Sequence, residues 1–156
     1  MILKASLSSL SVHSVLVLYF LGPRQNGRFH YDTKKNTEIK AAIRYASQAT
    51  AEEMGIRLPI PAGKKGYAIT LRCSFVPPKS YSKKRLIDIK LGNENPKCKP
   101  DIDNIAKLWL DALVSGGIIE DDKNVTELTV AKSYGDAEKV SCTIYYEAED
   151  EEALNG

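Results

Sequence analysis

The sequence predicts a small two-layer α+β domain, its helices packed on a mixed sheet and its elements in the order β-α-β-α-β-β. Three observations lead there. Two stretches carry apolar residues at helical spacing, four read as strands, and Gly or Pro marks the boundaries between them. The chain has 156 residues, of which 43% are hydrophobic and 27% charged, enough to bury one core without disulfide or metal staples. Cys73, Cys98 and Cys142 are an odd number with no C-x-x-C pair, and His13 and His30 stand far apart, so a disulfide framework and a structural zinc site are both disfavoured.

The first strand is the apolar run Val15-Leu16-Val17-Leu18-Tyr19-Phe20-Leu21, expected to be buried. At 7 residues it is too short to span a bilayer, and Gly22-Pro23-Arg24 follows with no small-x-small cleavage site, so it reads as a strand and not as a signal peptide. Residues 1–13 are expected to be a poorly ordered leader, 14–147 the folded domain and 148–156 an acidic tail. Thr37 to Met54 reads as a helix: Ile39, Ala42, Ile43, Ala46 and Ala49 share a stripe, Asn36 or Thr37 can cap it, and Gly55 follows. Tyr67 to Val76 alternates, with Tyr67, Ile69, Leu71, Cys73 and Phe75 on one face, and Pro77-Pro78 ends it. Residues 79–99 read as a long loop. Ile102 to Ser115 is the second helix, with Ile102, Ile105, Leu108, Trp109, Ala112 and Leu113 in one stripe and Gly116-Gly117 as its stop. Val125 to Lys132 and Val140 to Glu147 are two further strands, joined by a turn at Tyr134-Gly135-Asp136.

The formal net charge of +2 conceals a polarity. Residues 1–100 hold 18 Lys and Arg against 6 Asp and Glu, whereas residues 101–156 hold 4 against 14. A basic part of this size suits a polyanion, and the acidic part has a separate job. In the 79–99 segment alone lie Lys79, Lys83, Lys84, Arg85, Lys90, Lys97 and Lys99, and Arg24 and Arg28 follow the first strand. A loop of this length inside a compact domain usually binds something or is disordered.

The acidic cluster is the run Lys99-Pro-Asp-Ile-Asp-Asn-Ile-Ala-Lys107 followed by Glu120-Asp121-Asp122. Pro100 keeps the chain extended before the helix, so Asp101 and Asp103 converge at its start and Lys107 lies one turn below Asp103. Three carboxylates meeting at one spot repel each other unless a cation intervenes, and oxygen-only ligands favour Mg²⁺ or Mn²⁺. A calcium EF-hand is rejected, because counting from Asp101 the sixth and twelfth positions are Ala106 and Ala112. Taken singly, Asp103 reads more readily as a helix cap than as a ligand and Asp121-Asp122 more often as a solvated turn, while Lys107 pairs as easily with Asp103 or Asp111 on the helix surface.

The Lys99–Lys107 run, the helical Leu110-Asp111-Ala112-Leu113 and Ile119-Glu-Asp-Asp122 together strongly resemble the RusA family of phage and prophage Holliday junction resolvases. Pro77-Pro78-Lys79-Ser80, Lys83-Lys84-Arg85 and Gly22-Pro23-Arg24 fit the same pattern, and the resemblance covers most of residues 15–147. It implies a homodimeric, Mg²⁺-dependent endonuclease acting on branched DNA in recombination and repair, in the cytoplasm of a bacterial or phage-infected cell and with no membrane partner. Carried over residue by residue, it implies metal ligands at Asp101, Asp103 and Asp122 and an essential lysine at Lys107. Asp121 and Asn104 would be supporting residues, and Arg24, Arg28, Lys79, Lys83, Lys84, Arg85 and Lys99 would contact DNA. Two other classes remain beside it: a catalytically inactive branched-DNA-binding module, and a Mn²⁺-dependent nucleotide-sugar transferase. The latter lacks a G-x-G-x-x-G-type fingerprint here and usually needs a larger domain.

Overall fold

A computed structural model describes residues 13–21 and 33–147 of the chain. The elements run β1 (His13–Leu21), α1 (Thr33–Glu53), β2 (Tyr67–Phe75), α2 (Lys83–Lys90), α3 (Ile102–Ser115), a 3-10 turn (Asp122–Asn124), β3 (Val125–Tyr134) and β4 (Lys139–Glu147). The strands form one sheet in the order β1-β4-β2-β3. β4 is antiparallel to both β1 and β2, and β2 is parallel to β3. A parallel pair needs a crossover, and α2 with α3 supplies it. The α+β class and the mixed sheet agree with the sequence reading.

Burial follows the alternation of β2. Tyr67, Ile69, Leu71, Cys73 and Phe75 are buried, and Val140, Cys142, Ile144 and Tyr146 of β4 join them. Onto this face pack Ile105, Leu108, Trp109, Ala112 and Leu113 of α3, together with Ile43 of α1 and the Ile118-Ile119 pair. Burial pushes the Cys73 thiol up to about 11, and it raises Cys142 further. β1 forms an edge of the sheet, paired along its whole length with β4. Its side chains lie outside the described residues, as do the leader up to residue 12 and the tail from residue 148.

Both long helices stop in the same way. Gly55 and Gly117 adopt φ of +68° and +67°, and each lets the chain fold back so that free carbonyls of the last turn are bonded. After α1, Ile56 N–H donates to the Ala51 carbonyl at 2.8 Å and Gly55 N–H to Glu52 at 3.1 Å. After α3, Ile118 N–H donates to Leu113 at 2.9 Å and Gly117 N–H to Val114 at 3.0 Å. A side chain at either glycine would be forced into the left-handed region.

Three details depart from expectation. α1 starts at Thr33, so Asn36 and Thr37 lie inside it rather than capping it. Ile102 is 48% exposed, because the bonds from α1 meet the second half of α3: Lys40 pairs with Asp111 at 3.1 Å and Gln48 Nε2 donates to the Gly116 carbonyl at 2.7 Å. The first turn of α3 is left open to solvent. Residues 79–99 are not one long loop, since α2 occupies their middle. Ser82 accepts from Arg85 N–H at 3.3 Å as its cap, and Ile89 is its buried anchor. Among the described residues no helix is long and apolar enough to cross a membrane.

Candidate active site

Pro100, after a cis peptide bond from Lys99, is buried, and it shares a small cavity with Cys73, Phe75, Ile105 and Val140. The chain then turns outward. Asp101 occupies the N-cap position of α3 with an extended backbone, yet its carboxylate makes no capping bond. Asp103 lies in the first turn, and Asp101, Asp103, Asn104 and Lys107 are all exposed. Among the described residues, Asp101, Asp103 and Lys107 have no side-chain hydrogen bond or ion pair. Asp111, the other candidate partner of Lys107, is taken by Lys40. Two carboxylates and an ammonium thus stand unneutralised on the open turn of a helix whose N-terminal dipole favours anions.

The Asp121-Asp122 pair is held elsewhere. Ile60 N–H donates to the Ile118 carbonyl at 2.9 Å, and buried Tyr67 accepts from Glu120 N–H at 3.2 Å while donating to the Ile60 carbonyl. These bonds carry the chain past the start of β2 into the 3-10 turn. Asp121 caps that turn, accepting from Lys123 N–H at 3.0 Å, with the Lys123 ammonium 3.6 Å away. The backbone N–H of Lys123 is the chief cause that holds the Asp121 carboxyl below its usual range.

These placements keep the three carboxylates apart within one chain. Asp101 and Asp103 open α3, and Asp122 follows its far end. The 14 residues of α3 measure about 21 Å. β3 marks the same separation from its other side, because it starts beside Asp122 and only its later part, at Lys132, reaches the Pro100 carbonyl. Among the described residues no three His, Cys, Asp or Glu side chains gather to hold a metal ion.

The basic residues divide in the same way. Lys79, Lys83, Lys84 and Lys99 are exposed, and their segment lies at the Asp101 end of the sheet. Arg85 is engaged. Its guanidinium bonds Glu94 at 2.6, 3.1 and 3.2 Å and stacks 3.6 Å from the Tyr81 ring centroid. That fork raises Arg85 and lowers Glu94 from their ordinary values. Tyr134, beside Tyr81, is pushed up to about 12, by burial first and the Tyr81 hydrogen bond second. Arg24 and Arg28 lie outside the described residues. Sequence reasoning missed Glu94, which sits nine positions along in an irregular segment. It also missed Lys132, whose only signal was a lysine in an inward register otherwise filled by Leu128, Val130 and Tyr134.

The donor chemistry at the start of α3 fits a hard divalent cation, since Mg²⁺ is commonly held by one or two carboxylates plus substrate phosphates. Asp101 and Asp103 supply that pair, and Asp122 of the same chain does not reach it. Comparison with individual curated protein sequences gives no match. The family described as endodeoxyribonuclease RusA matches residues 22–145, a span that takes in α1, both carboxylate pairs, Lys107 and the basic segment. The chain belongs to the RusA endodeoxyribonuclease family.

Proposed function

We propose that this protein is a Mg²⁺-dependent, structure-selective endonuclease that resolves four-way DNA junctions as a homodimer. The observation that carries the reading is the open first turn of α3. There Asp101 and Asp103, with Lys107 one turn along, stand exposed without side-chain partners among the described residues, at the end of the sheet that also holds Lys79, Lys83, Lys84 and Lys99. An aspartate at the N-cap of a helix ordinarily accepts from the free N–H groups of the first turn, and Asp101 does not.

Asp101 and Asp103 hold the cation, and Mn²⁺ is a workable substitute on the same oxygen donors. When bound, the cation polarises a scissile phosphate and acidifies a water. Lys107, one turn along the helix, offers its ammonium to the charge that builds on the phosphorane oxygens. The exposed lysines of the basic segment bind backbone phosphates, which fix the register of the DNA without reading its sequence. Asn104 and Asp121 support the two carboxylate groups from the adjoining backbone. A junction has approximate two-fold symmetry, and a C₂ dimer presents two identical sites related by one axis. The same dimer explains Asp122, which joins Asp101 and Asp103 only from a second copy of the chain.

A synthetic four-way junction incubated with and without Mg²⁺ tests the reading. Paired nicks on opposed strands are expected in Mg²⁺, and binding without cleavage in its absence. Binding without cleavage under both conditions would instead support an inactive branched-DNA-binding module. Equal cutting of linear duplex would remove the junction selectivity.

The engagement of Arg85 changes what its segment is expected to contribute. Lys83→Gln with Lys84→Gln should weaken binding to all DNA forms and reduce the log–log salt slope by about 0.9 for each phosphate no longer neutralised. Adding Arg85→Gln should lower the slope little further, because Glu94 already neutralises that charge. A titration across salt concentrations with an unchanged slope in the double variant would move the DNA surface away from α2.

A further inference from the structure

The segment that delivers Asp101 to α3 has little backbone support. Among the described residues, no backbone–backbone hydrogen bond outside the helices and strands ties the N–H of any residue from 94 to 100. Side chains hold it instead. Arg85 grips Glu94 at one end. At the other end, the Lys132 ammonium donates to the Cys98 carbonyl and to the Pro100 carbonyl, the latter at 3.0 Å.

Lys132 is placed for this by β3. It is paired in register with Cys73, on the face of the sheet that the helices cover, in line with Leu128, Val130 and Tyr134. A lysine there must lay its aliphatic stem along apolar neighbours and bring its charge to a polar group. It does so past the Phe75 ring, with the ammonium 5.6 Å from the ring centroid. Its charge also opposes the rise that burial imposes on Cys73. The bond to Pro100 is one residue from Asp101 and three from Asp103. Pro100 is already buried, but apolar packing is non-directional, and it does not set which way the next residue leaves. Two hydrogen bonds from a charged donor do set it, and bonds of this kind are worth more than neutral ones.

We propose that Lys132 is a positioning residue of the active site: by tying the Cys98 and Pro100 carbonyls to β3, it sets the angle at which the chain enters α3 and so aims Asp101 and Asp103. The proposal rests on the metal-dependent reading above. Partners that orient metal-binding side chains typically cost about 10–100-fold in metal affinity or activity when removed.

The test replaces the ammonium while keeping the stem, as Lys132→Met, and compares it with Lys132→Arg. In Lys132→Met, the Mg²⁺ concentration for half-maximal junction cleavage should rise by about tenfold or more. Junction binding without metal should stay within about twofold, because the Lys132 ammonium is spent on the Cys98 and Pro100 carbonyls. Lys132→Arg, which retains a charged donor, should recover part of the Mg²⁺ dependence. Hydrogen exchange, read on the free protein, should quicken across residues 105–108 in Lys132→Met, where the bonded amides of α3 begin with Ile105 N–H on the Asp101 carbonyl at 3.1 Å, and stay unchanged in the sheet. Unchanged exchange in that segment overturns the proposal, and so does a wild-type Mg²⁺ profile in Lys132→Met. A loss of thermal stability with exchange raised throughout the sheet would make Lys132 merely structural and overturn it equally. Wild-type protein that cuts no junction would refute the nuclease reading instead, and the exchange measurement would still decide whether Lys132 holds the entry to α3.

Discussion

Asp103→Asn and Asp122→Asn are each expected to abolish junction cleavage, by at least about a hundredfold, while leaving junction binding largely intact; mixed together, the two inactive proteins should recover cleavage. The first part follows from charge. Each substitution is nearly isosteric and removes one anionic donor from a site whose work is electrostatic, and losing one such group typically costs about 10²–10³ in turnover. Binding depends on the lysines of residues 79–99 and is spared. Without metal it should tighten, since a carboxylate that repels phosphate is gone. The second part follows from the length of α3. Asp103 and Asp122 sit at opposite ends of a 14-residue helix in one chain. If the second copy supplies Asp122, then a dimer of one Asp103→Asn and one Asp122→Asn chain carries both lesions in one site and none in the other. One intact site should nick one strand of the junction. If each chain supplied its own three ligands, every site in the mixture would carry a lesion and no cleavage would return. Asp103→Asn cutting at near wild-type rate would remove Asp103 from the site altogether.

Lys107→Ala should slow single-turnover cleavage by on the order of a hundredfold or more, with junction affinity changed little. The ammonium is exposed and unpaired among the described residues, so its removal breaks no structural ion pair. Stability is expected to hold, because Ala is the better helix former at an exposed position. The cost therefore falls on the reaction. Measuring the rate at saturating protein separates the two roles open to a lysine here. A weakened affinity with an unchanged single-turnover rate would make Lys107 a phosphate anchor. Lys107→Arg should keep part of the rate, since a charged donor remains, though the planar guanidinium is not a substitute for a compact ammonium.

Local regularity made much of this protein readable in one dimension. The bounds of α3 follow from its apolar stripe and Gly116-Gly117, and those of β2 from a strict alternation ended by Pro77-Pro78. The charge polarity and the Asp101-to-Lys107 spacing depend only on residue order, and the family follows from them with the Asp121-Asp122 pair. α2 escaped notice because five of its eight residues are charged and only Ile89 is buried, so its hydrophobic period is nearly silent. Long-range placement decided the rest. Arg85 looked like a free DNA contact until an irregular segment brought Glu94 against it. Lys132 lies 32 positions from Pro100, and only the parallel pairing of β3 with β2 sets it beside that carbonyl. Asp103 and Asp122 look close in the sequence, but a rigid helix rising about 1.5 Å per residue separates them where a flexible loop would not. Spacing in sequence reports distance only within one element, and the site is built between elements.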